Sequence, residues 1–225
     1  MHRLLSLSRS LIGTKITMAL SGLLLFLFVL LHLFGNLKVF EGADKFNAYA
    51  AGLRTVGAPF FARGQLLWAV RVVLLVAVGA HLWASVGVTR ASWRARPVGY
   101  RHLAAHETTY AARTMRWGGV LILLYVIYHL LDLSLGRVNP DFEPGNVYHN
   151  VLASFARWPV AAAYIVAMLA LGLHLYHGVW SALQTLGLHR APTDRWRRGV
   201  AGAVALLITG GYITIPVAVL TGALR

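Results

Sequence analysis

The sequence predicts an all-α membrane protein with five transmembrane helices. Three observations carry that expectation: a mean hydropathy of +0.63, a charged fraction of 12% in 225 residues, and five stretches that each approach the roughly 20 apolar residues a bilayer requires. In lipid the backbone must satisfy its own hydrogen bonds, so stretches of this length are helices.

The first segment covers residues 16–34. The preceding MHRLLSLSRSLIGTK lacks the short apolar core and small-residue cleavage site of a secretory signal, so this segment is expected to stay in the mature protein. The connection that follows is long, and Ala43 to Leu53 is expected to form a short interfacial helix. Segment two, 66–88, carries His81 and Arg71; segment three, 117–135, carries His129 and Asp132. The next loop, GRVNPDFEPGNVYHNVLASFARW, holds two Pro and two Gly and should be an ordered cap with a short helical turn. Segment four, 159–181, contains His174 and His177. Segment five, 199–220, has no histidine, and Pro216 should kink it or mark its outer end. No internal repeat or boundary divides residues 1–225, which read as one integral membrane domain.

Lys and Arg are unevenly shared between the two sides. The amino-terminal tail and the second and fourth connections carry 13, against 7 in the other connections and the carboxyl terminus, which places the amino terminus in the cytoplasm. The net charge of +14 comes from short runs between apolar stretches rather than from one basic face. It therefore points to topology and a docking surface, not to nucleic acid. Cysteine is absent, which excludes disulfides, thiolate zinc sites and iron-sulfur clusters within the chain. Histidine is the strongest remaining ligand type.

Four successive segments each carry a histidine deep in apolar sequence: His32, His81, His129 and His174. With a rise of about 1.5 Å per residue, His32 and His129 lie about 24 and 18 Å from the cytoplasmic edge. His81 and His174 run the other way and lie about 8 Å from that edge of a core roughly 30 Å thick. Two layers of two histidines is the arrangement that clamps two stacked porphyrins inside a four-helix bundle. His177, three residues after His174, competes as the inner ligand. Small residues lie one turn from three of the histidines: Gly35 by His32, Ala77 and Ala84 by His81, Ala170 and Gly178 by His174. They leave flat space for a macrocycle or simply allow close helix packing. Arg71 and Asp132 are set about 8 Å inside the outer edge. They are placed to pair, or Arg71 to neutralise a haem propionate while Asp132 handles a proton, with snorkelling as the plainer account of Arg71. His102, His106, His149 and His189 fall in connections.

With the histidines placed, the chain resembles the membrane-anchor cytochrome b subunit of succinate:quinone oxidoreductases, the succinate dehydrogenase and fumarate reductase family, in its single-polypeptide, five-helix, two-haem form. The likeness rests on GTKITMALSGLLLFLFVLLHLFGNL, on YHNV at Tyr148 to Val151 and on GLHLYHGVWSALQTLG from Gly172 to Gly187. It implies two haem b groups, a distal one held by His32 and His129 and a proximal one by His81 and His174, with His177 beside the latter. It also implies a flavoprotein partner with FAD, an iron-sulfur partner, and a prokaryotic cytoplasmic (inner) membrane. A higher oligomer of the complex is compatible with it. The chain itself would not oxidise succinate; it would carry electrons one at a time to a quinone, either menaquinone or ubiquinone. Candidate quinone contacts are Arg9, Lys15 and Ser21 near the cytoplasmic end, and Glu41, Asp44 and Asp132 near the outer one. Competing readings are the cytochrome b anchor of a formate dehydrogenase or hydrogenase, and a haem-free transporter that relays protons along the histidines.

Overall fold

A computed structural model describes residues 10–95, 110–185 and 194–225. The described residues form helices and connecting turns with no strand, and five of the helices are long and apolar enough to cross a membrane. Four of the five segments expected from the sequence fall within one of them, and the third, 117–135, runs one residue past the helix that ends at Ser134.

Helix α1 runs Leu11–Asn36 and starts where Ser10 Oγ accepts the Gly13 N–H at 3.0 Å, satisfying one of the unpaired amides of the first turn. A 3-10 turn, Leu37–Glu41, leads through Gly42 into α2, Ala43–Gly52, the short helix expected there. Helix α3 is Gln65–Arg94. Helix α4, Tyr110–His129, ends in a π-helical turn, Leu130–Ser134, in which Leu135 N–H reaches back five residues to Leu130 O at 2.9 Å. The sequence pattern over 117–135 did not reveal that widening. Gly136 closes the turn with φ +64°, and a Cβ there would run into the Phe142 ring, so this corner requires glycine. Helix α5, Val147–Ala156, is capped by Asn146, whose side chain accepts the His149 N–H. Arg157 is extended, and α6 follows as Trp158–Thr185 with Pro159 in its first turn, where a missing N–H leaves no intrahelical bond unmade. Helix α7, Asp194–Leu220, continues through Pro216.

The chain forms two compact units. One comprises Met1–Val29 and Val56–Glu107, the other Leu30–Thr55 and Thr108–Arg225. In the first unit α1 and α3 meet through small residues. A Cβ on Gly87 would stand 3.2 Å from Thr14 Cγ2, and one on Gly22 would stand 3.3 Å from His81 Cε1. As numbers rise on α1 they fall on α3, so the two helices pack antiparallel. The contact is made by the Thr14 and His81 side chains, each reaching a glycine of the facing helix.

The second unit has its buried core where α2, α5, α6 and α7 converge, at Val39, Phe46, Val151, Phe155, Ala161, Tyr164 and Ile215. Helices α6 and α7 cross where Gly172 lies against the Thr209 side chain. An asparagine lattice fixes the cap over this core. Asn47 Nδ2 donates to Asn146 Oδ1 and Asn47 Oδ1 accepts the Tyr148 N–H, both at 3.0 Å. Asn150, 3% exposed, clasps both backbone polar groups of Glu143 at 2.7 and 2.9 Å.

Candidate functional site

His32 stands on α1 one turn before the helix ends, and His129 is the last α-helical residue of α4; both belong to the second unit. Their ring centroids are 6.0 Å apart with planes at 84°. Two imidazoles that bind one metal ion from opposite sides, with metal–nitrogen bonds of about 2 Å, bring their ring centres to roughly this separation.

The nitrogen of His129 left for a ligand follows from its neighbours. Tyr164 Oη lies 3.4 Å from His129 Nδ1 and donates its own proton to Asp132 Oδ2 at 2.9 Å. The phenol has one hydrogen, already given to the carboxylate, so toward His129 it presents a lone pair and accepts from Nδ1–H. Nε2 is then the coordinating nitrogen. Asp132, on the π-helical turn, is fully buried and also accepts from Ser154 Oγ and, at 3.0 Å, from Arg157 Nη2. Arg157 in turn donates from Nη1 to Val138 O at 3.0 Å. A buried carboxylate with three donors, one of them a cation, is a satisfied one.

His81, in the first unit, repeats the pattern in simpler form. Its Nδ1 is 3.3 Å from Ser21 Oγ, and that hydroxyl donates to Thr17 O at 2.7 Å. The serine oxygen therefore accepts from His81 Nδ1–H, which orients the ring. Ser21, considered from the sequence as a quinone contact, is 8% exposed and serves here as the partner of a histidine.

His174 and His177 belong to the second unit. His174 borders a cavity of about 70 Å³ whose wall includes Gly118, Ala170 and Leu173. Cβ positions on Gly118, Gly119 and Gly178 meet no atom within 4 Å, so open space surrounds this part of the unit. The cavity itself admits a guest of a few waters, and a macrocycle would have to part α4 and α6. His177 packs edge-on against Trp180, centroids 5.8 Å apart, and its buried Nδ1 meets no hydrogen-bond partner among the described residues.

The remaining candidates separate. Arg71 is exposed and lays its guanidinium over the Trp68 ring at 4.9 Å. Lys15, Glu41 and Asp44 are exposed, and Glu41 pairs with Lys38 at 3.1 Å. His149 binds Asp141 O at 2.9 Å within the cap. Arg9, His102, His106 and His189 lie outside the described residues. Gly35 does not leave space for a macrocycle: a Cβ there would meet Tyr49 Oη at 2.7 Å, so α2 fills that gap. The residues that sequence reasoning missed are Tyr164, Ser154 and Arg157. A signal existed for one of them, since a tyrosine inside an apolar span needs a polar partner for its hydroxyl.

Among the described residues no three His, Asp or Glu side chains gather as ligands for a metal ion. At His129 the donor is a single imidazole whose Nδ1 is engaged by Tyr164, which suits a metal that arrives with its own equatorial ligands. Comparisons with protein-family models, with curated proteins and with solved structures each return no match.

Proposed function

We propose that this chain is the membrane-anchor cytochrome b subunit of a succinate:quinone oxidoreductase, binding two b-type haems and delivering electrons to a membrane quinone. The observation that carries the reading is the His32–His129 pair, 6.0 Å between centroids, with Nδ1 of His129 already engaged so that Nε2 is left to coordinate. His32 and His129 would hold one haem. The sequence resemblance assigns the other haem to His81 and His174, with His177 as the competing ligand.

Bound there, haem supplies reversible one-electron transfer. The chain's residues supply the surroundings: hydroxyls at Nδ1 of His129 and His81 fix the tautomer and aim the rings, and apolar helices exclude water. The bias of Lys and Arg supports a cytoplasmic amino terminus and cytoplasmic basic connections. That surface suits a soluble iron-sulfur partner, itself fed by a flavoprotein with FAD.

The test is the purified protein in detergent. Two b-type haems per chain, with a reduced-minus-oxidised spectrum and a co-purifying flavoprotein that oxidises succinate, are the expected result. A correctly inserted but colourless protein overturns the proposal. A molybdenum or nickel subunit in place of the flavoprotein moves the chain to a formate dehydrogenase or hydrogenase anchor.

A further inference from the structure

Asp132 is the only fully buried carboxylate among the described residues, and its surroundings are directional. Arg157 approaches Oδ1 at 3.0 Å, while Tyr164 takes Oδ2 at 2.9 Å and passes its oxygen to His129 Nδ1 at 3.4 Å. The cation thus sits on the oxygen away from the tyrosine, and Oδ2 is left to the Tyr164 and Ser154 hydroxyls. The other titratable groups here are Tyr125 and Tyr128 on α4, whose rings pack against Tyr164 at 5.1 and 6.2 Å. The π-helical turn is what brings the carboxylate to this place, and such turns recur where a helix has been reshaped for a site.

We propose that Asp132, acting through Tyr164, is a positioning residue that holds His129 in its Nδ1–H form and lowers the reduction potential of the group bound between His32 and His129. This rests on the haem reading above. A ligating imidazole whose second nitrogen donates toward a carboxylate is a stronger base. A fixed negative charge two hydrogen bonds away favours the more positive, oxidised metal. The paired Arg157 weakens that field without cancelling it, because it lies on the far side of the carboxylate.

Tyr164→Phe preserves the ring and its packing while breaking the link, and Asp132→Asn removes the charge. Each variant should raise the midpoint potential of one haem and leave the other unmoved. The expected size is about a tenfold change in the redox equilibrium, or about 59 mV for one electron. Histidine 15N spectra should show His129 as the Nδ1–H tautomer in the parent protein and a loss of that preference in Tyr164→Phe. Two haems with unaltered potentials in Tyr164→Phe overturn this inference and leave the function intact. A colourless parent protein overturns the function instead. In that protein an Nε2–H tautomer at His129 would also overturn the link to Tyr164.

Discussion

His32 and His129 are 97 positions apart in the chain and face each other at 6.0 Å between ring centroids. If one haem joins them, either ring is indispensable and the second adds nothing once the first is gone. His32→Ala and His129→Ala should each reduce haem from two per chain to one, and the double variant should also keep one. Pyridine haemochrome assay checks this, and an additive loss would contradict a shared ligand.

Arg157 carries the countercharge of Asp132, with side-chain exposures of 30% and 0%. Removing one partner of a fully buried ion pair strands the other, at about 3 to 5 kcal/mol, and the partial exposure of Arg157 brings the cost here below that range. Arg157→Gln should therefore lower the thermal midpoint in detergent well below that of Arg157→Lys, which retains the charge. Equal midpoints would show that Ser154 and Tyr164 alone sustain the carboxylate.

These two relationships differ in how far the sequence disclosed them. Helix period and length were enough to place His32 and His129 at similar depth, because rise per residue is nearly constant in a span. The Asp132 cluster was not legible, because it depends on a π-helical turn at Leu130–Ser134 and on an extended residue at Arg157. Both are local departures from the regular period. Arg157 was counted only as a loop charge, and Tyr164 read as one more apolar position. Gly35 shows the opposite failure: a small residue near a ligand suggested room for a macrocycle, and the structure fills the place with Tyr49.

Ser21 Oγ lies 3.3 Å from His81 Nδ1 and sets the orientation of that ring. Loss of a second hydrogen bond at a ligating histidine costs about tenfold or more in metal affinity. Ser21→Ala should weaken retention of the haem assigned to His81 by about tenfold during detergent titration, while Ser21→Thr, which restores a hydroxyl, retains it. An unchanged Ser21→Ala protein with altered quinone reduction would return Ser21 to the role of a quinone contact.

Gly172 and Thr209 make the tightest crossing between α6 and α7, where a Cβ on the glycine would overlap Thr209 Oγ1. Thr209 is 8% exposed and its hydroxyl donates to Met168 O at 3.4 Å, so it has little freedom to withdraw. Gly172→Ala should destabilise by about 1 to 3 kcal/mol, the usual cost of overpacking. Thr209→Ala removes the colliding atom, so the double variant should recover most of that loss even though Thr209→Ala alone destabilises slightly. Such coupling is expected only for residues in direct contact. Additive effects in a double-mutant cycle, read from thermal unfolding in detergent, would mean that the helices part at this point and the glycine is not what holds them together.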